Sequence, residues 1–152
     1  WVWHKRRTDF RKFWRQVYNS GIARINLYKK YPESLKLVHL LPMVFTVGVI
    51  GTLLLLFFGF LPYMLGTVHV FPILGYAMEA LGCIGLFFIL LYTVALFIDS
   101  AKVNHSVKIG LLSIRAAFTQ LMGYGCGFLS AWWKRCVLGQ NEFSAYDKTF
   151  YK

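Results

Sequence analysis

Leu37–Leu61 reads LVHLLPMVFTVGVIGTLLLLFFGFL and contains no Asp, Glu, Lys or Arg. At 1.5 Å per residue, a helix of this length exceeds the ~30 Å hydrocarbon core of a bilayer, with room for tilt. Working outward, two further apolar stretches follow. Phe71–Ile98 carries Glu79 as its only charge, and Ile109–Trp133 is interrupted by Arg115 and Gln120. All three read as transmembrane helices, the third least clearly, since it also suits a re-entrant or surface helix. Pro42 falls near the start of the first span, where a helix tolerates proline best. Pro62 and Pro72 bracket a short turn, 62–71, and the connector 99–108 is also short. Short connections make neighbouring helices antiparallel. The expected fold is all-α and integral to the membrane: an interfacial amphipathic helix, then three transmembrane helices in a hairpin bundle (37–61, 71–98, 109–133).

The composition agrees. The 152 residues are 57% hydrophobic and only 15% charged, with 17 Lys+Arg against 6 Asp+Glu and a net charge of +11. A soluble domain carries about 25% charged residues, which argues against an ordinary soluble enzyme. The apolar content argues against disorder. A nucleic-acid partner would explain the charge but not the mean hydropathy of +0.51. Basic and apolar together point to a bilayer with anionic headgroups. Cys83, Cys126 and Cys136 are odd in number and form no CxxC pair, so they read as small buried hydrophobes.

Lys and Arg set the orientation. Ten precede the first span, from Lys5 to Lys36; the first connector has none and the second has Lys102 and Lys108. The N-terminal segment is therefore expected in the cytoplasm. Three crossings would put Lys134, Arg135, Lys148 and Lys152 outside, a mild conflict that vanishes if the third stretch does not cross.

Residues 8–31 form the basic segment before the membrane. Thr8 can cap a helix, with Asp9 favourable beside its N-terminus. Phe10, Phe13, Trp14, Val17, Tyr18, Ile25 and Tyr28 recur at three- and four-residue steps, with Gly21 on the same stripe. Arg11, Lys12 and Arg15 fall largely on other faces and suit lipid headgroups. Guanidinium forks match phosphate oxygens and the Gln16 amide both donates and accepts, so Arg7, Gln16 and Arg24 are candidates to grip a diphosphate or lipid phosphate. His4 lies beside them. Arg115, a charge inside an apolar stretch, has three readings: a pair with Glu79, a lipid-phosphate contact, or snorkelling to the surface.

The run His4-Lys5-Arg6-Arg7-Thr8, then Arg15-Gln16, then Gly21-Ile22-Ala23-Arg24, resembles the region after the catalytic domain of bacterial family 2 glycosyltransferases. The similarity is to the non-processive, succinoglycan-biosynthesis-like branch, and extends to Ala131-Trp132-Trp133-Lys134-Arg135. Ser20 stands where that family usually has an aromatic. The resemblance implies a cytosolic GT-A domain upstream, absent here, that binds a nucleotide-sugar and a divalent metal (Mg or Mn) through an Asp-x-Asp element. Residues 1–7 would then end that domain, 8–31 would close the floor of its active site, 37–133 would anchor it, and 134–152 would be a tail. It further implies sugar transfer to a lipid-linked or envelope glycan acceptor at the cytoplasmic leaflet of the inner (plasma) membrane. Donor diphosphate would meet Arg7, Gln16, Arg24 and His4.

The six acids of this chain are scattered, with no pair spaced for a metal. Catalytic residues and cofactor are therefore not expected in it, and it should be inactive alone. The competing reading is a non-catalytic membrane scaffold or lipid-binding subunit. Gly123 and Gly127 form a GxxxG step that lets a neighbouring helix approach closely, and Gly75, Gly82 and Gly85 suit the same role.

Overall fold

Asp9 opens the first helix: its Oδ1 accepts the Arg11 N–H at 2.9 Å, and its carbonyl accepts the Phe13 N–H at 3.0 Å. The cap satisfies one of the free donors of the first turn. In the computed structural model, which describes residues 9–65 and 72–141, this helix is α1, Phe10–Lys30. The cap expected at Thr8 lies outside the described residues, as do His4 and Arg7. Pro32 cannot continue the helix, and two single-turn 3-10 segments, Pro32–Ser34 and Leu37–His39, lead to α2, Leu41–Met64. Then come α3, Pro72–Val103, α4, Val107–Trp132, and a π-helical turn, Trp133–Val137. Among the described residues every regular element is helical.

Boundaries depart from expectation in three places. The first apolar helix begins at Leu41 rather than Leu37, because the chain turns tightly through Leu37–His39. It also runs through Pro62 to Met64. A proline in the last turn loses one hydrogen bond but leaves few residues beyond it to displace. The second helix continues past Ile98 to Val103, so the expected ten-residue connector shrinks to Asn104–Ser106. There His105 takes φ 49°, and the Ser106 Oγ accepts the Ile109 N–H at 3.4 Å to start α4.

The helices fall into two units. Of the described residues, 47–65 with 72–114 make one, and 9–46 with 115–141 the other. In the first, α2 and α3 approach through glycine. A methyl group on Gly59 would meet the Glu79 backbone, one on Gly82 would meet Leu56, and one on Gly85 would meet Thr52. These pairings step in opposite directions along the two helices, which are therefore antiparallel. Leu53, Phe57, Ile84 and Phe87 are all more than half exposed. Side chains this apolar and this open suit a hydrocarbon solvent, and α2 (with the turn before it) and α3 are both long and apolar enough to cross a membrane.

The second unit centres on Ile22, Ile25, Phe128 and Ala131, all nearly or fully buried. Here α1 lies beside α4. Arg115 sits over the Phe10 ring, Gly123 faces Val17, Gly127 faces the Tyr18 carbonyl, Gly21 faces Tyr124 and Phe128, and Arg135 bonds Asn26. The offset in sequence stays near-constant along the series, so α1 and α4 run parallel and in register. The first turns of α2 meet α4 on another side. Thr46 Oγ1 donates toward the carbonyls of Pro42 (2.8 Å) and Leu121 (3.2 Å), and Phe45 packs edge-on to Phe118 at 5.5 Å. The close approach expected at Gly123 and Gly127 is present, and the neighbour is the amphipathic helix itself.

Candidate functional site

The cationic residues of α1 divide between its two ends. Arg11, Lys12 and Arg15 occupy the first turn and a half and are exposed. Arg11 and Arg15 stand one turn apart, and with Trp14 and Tyr18 they line a cleft of about 280 Å³. Arg115 reaches the same end from α4, its guanidinium carbon 4.2 Å from the Phe10 ring centre. The four residues read as headgroup ligands thus converge on one end of one helix, where the macrodipole adds partial positive charge. Guanidinium forks match phosphate oxygens, and planar aromatics beside them suit apolar surface, a chemistry compatible with a phosphate-bearing headgroup.

The diphosphate candidates separate. His4 and Arg7 lie outside the described residues. Gln16 is exposed, and its carbonyl accepts the Ser20 hydroxyl at 3.0 Å. Arg24 lies eight residues on, about 12 Å along the axis and about 80° around it. Its charge acts on His39, in the turn before α2, where Lys36 also sits. The His39 Nδ1 accepts the Lys36 backbone N–H at 3.1 Å, which leaves Nε2 as the donor. Gln16 and Arg24 are therefore on one helix but in different surroundings.

Neither His39 nor Lys36 stood out in the sequence as a phosphate ligand, because they join Arg24 only through the fold of Pro32–Leu40. A largely apolar cavity of about 350 Å³ is walled by Ile25 and Tyr28 of α1, Leu35 and Leu40 of the connector, and Phe128 and Trp132 of α4, among others; Arg24, Lys36 and His39 each adjoin one of its lining residues in sequence.

The two charges that interrupt apolar stretches, Arg115 and Glu79, have neighbours. Arg115 has the Phe10 ring, and Glu79 lies near Tyr63. The Tyr63 and Tyr76 rings meet edge-on at 6.1 Å. Among the described residues no three His, Cys, Asp or Glu gather as a metal would require. Comparison with protein-family models, with curated proteins and with solved structures finds no match.

Proposed function

We propose that this chain is the membrane-anchoring C-terminal part of a family 2 glycosyltransferase, crossing the inner membrane twice and holding α1 and α4 together at the cytoplasmic leaflet. The observation that carries the placement is the parallel contact of α1 with α4. Six Lys and Arg lie on α1, and each charge taken to the bilayer centre costs about 2.5–3.5 kcal/mol even on the mildest scale. A helix so charged stays at the interface, and the helix in register beside it stays there too. Two crossings then put all 17 Lys and Arg on one side, because the stretch between α2 and α3 has none. The charge conflict of a three-span layout disappears.

The enzymatic reading rests on the resemblance. What supports it is where its residues fall: Arg15, Gln16, Gly21 and Arg24 all lie on α1, and Gly21 is a direct backbone contact to Tyr124 and Phe128. A nucleoside diphosphate gains negative charge as the glycosidic bond breaks, and cations held at a low-dielectric boundary stabilise it. The test is a full-length enzyme carrying Arg7→Ala or Gln16→Ala. Turnover in membranes should fall while insertion is unchanged. Turnover equal to that of the parent would remove the active-site role and leave an anchor.

The cavity beside Arg24 favours one other reading, a lipid-binding subunit without chemistry. An upstream reading frame encoding about 200–250 residues, the size of one domain, with an Asp-x-Asp element separates the two.

A further inference from the structure

We infer that the cavity between α1, the connector and α4 holds one acyl chain of an anionic phospholipid, whose phosphodiester rests on Arg24, Lys36 and His39. This does not depend on the enzymatic reading, since it concerns the surroundings of α1 in the bilayer alone.

The cavity lining is apolar, as an acyl chain requires, and basic residues adjoin that lining in sequence. Ile25, Tyr28, Leu35 and Leu40 wall it, and three basic residues border that wall in sequence: Arg24 precedes Ile25, Lys36 follows Leu35, and His39 precedes Leu40. Its volume of about 350 Å³ is at the small end of ligand cavities, about 300–1,000 Å³, enough for part of one hydrocarbon chain. A neutral apolar ligand would leave the cations without use. A free phosphate would leave the cavity empty of anything apolar. A membrane phospholipid with one negative charge satisfies both, and it is the solvent in which this part of the chain sits.

The donors have complementary chemistry. Arg24 supplies a planar fork for two phosphate oxygens. His39 is oriented by the Lys36 N–H on Nδ1 so that Nε2–H points elsewhere as a donor. Lys36 is an exposed point charge. Glu33 is the nearest acid in sequence and is exposed, and Asp9 lies at the opposite end of α1.

Trp132 lines the cavity and reports on it. The full chain, with Trp1, Trp3, Trp14 and Trp133 replaced by Phe, is reconstituted in phosphatidylcholine vesicles. Brominated-chain phosphatidylglycerol or brominated-chain phosphatidylcholine is then added at equal mole fraction. The phosphatidylglycerol should quench Trp132 at lower mole fraction. Arg24→Gln or Lys36→Gln should each weaken that preference about fivefold, the worth of one interfacial charge. Leu35→Phe, which fills the cavity and keeps the charges, should reduce quenching by both lipids, and far-ultraviolet circular dichroism checks that each variant keeps its helices. Equal quenching by the two lipids overturns the inference. So does a preference that survives both charge removals, or a stronger preference for an isoprenyl monophosphate than for phosphatidylglycerol.

Discussion

Thr46 has no exposed surface, and its hydroxyl lies between its own helix and α4, donating toward the carbonyls of Pro42 and Leu121. One proton serves two acceptors, so the hydroxyl both folds back on its helix and reaches across. Thr46→Val keeps the volume and removes the donor. The expected cost is about 1 kcal/mol, seen as a lower midpoint in denaturant titration in detergent. Glycines divide by what surrounds them. A side chain on Gly127 would meet the Tyr18 backbone, which has no flexible end to move aside. Gly127→Val should cost about 1–3 kcal/mol or more by overpacking and loosen α1 from α4. Gly48 has open space around it; Gly48→Ala should leave the midpoint unchanged or raise it by at most about 1 kcal/mol, the gain in helix propensity. The same titration on both variants checks the contrast. The sequence singled out Gly123 and Gly127 by their spacing. It could not say which helix would fill the step, because spacing names a face and not its occupant.

At the scale of elements, the stripe on α1 was legible and its partner was not. Tyr18, Gly21 and Ile25 repeat at helical steps, and the structure buries Gly21, Ile22 and Ile25 among protein. An amphipathic helix before a membrane reads equally as lipid-facing, and only the fold shows α4 against it. Pro62 misled for a related reason: proline signals a stop, but in a final turn the helix has little left to lose. The α3–α4 turn was read as longer than it is, since neither Asp99 nor Lys102 breaks a helix and only His105 takes the left-handed conformation. The parallel register gives a sharp expectation. With Cys126 and Cys136 replaced by Ser, Ile22→Cys and Phe128→Cys should cross-link under mild oxidation, whereas Ile22→Cys with Ala116→Cys should not. Efficient cross-linking of the second pair, read as a shift on a non-reducing gel, would contradict the pairing.

For the whole molecule, α2 and α3 were plain from length and hydropathy alone, and the third apolar stretch was the one whose composition wavered. In the two-crossing layout we propose, the argument comes from its companion, a helix with six cations packed beside Ile109–Trp133. Two crossings make a definite statement about the chain's ends. Lys36→Cys and Gln140→Cys, each in a cysteine-free background, should react with an impermeant maleimide from the same side of sealed vesicles. Three crossings would give labelling from opposite sides. Of the candidate site, Arg11, Lys12 and Arg15 were readable because they are local to one helix. The Arg24–His39 juxtaposition depends on a chain reversal at Pro32 that no residue pattern announces.

Gly123 and Gly127 face α1, while Gly125, between them in sequence, faces Pro42 and Thr46 at the root of α2. Over this stretch every second residue of α4 is glycine, and its neighbours approach these glycines from two directions. At the glycines themselves there is no side chain to take up slack. A push delivered to α1 from any domain joined ahead of Phe10 would therefore be felt at the foot of the first apolar helix almost undiminished, as through a rigid washer between two bolts.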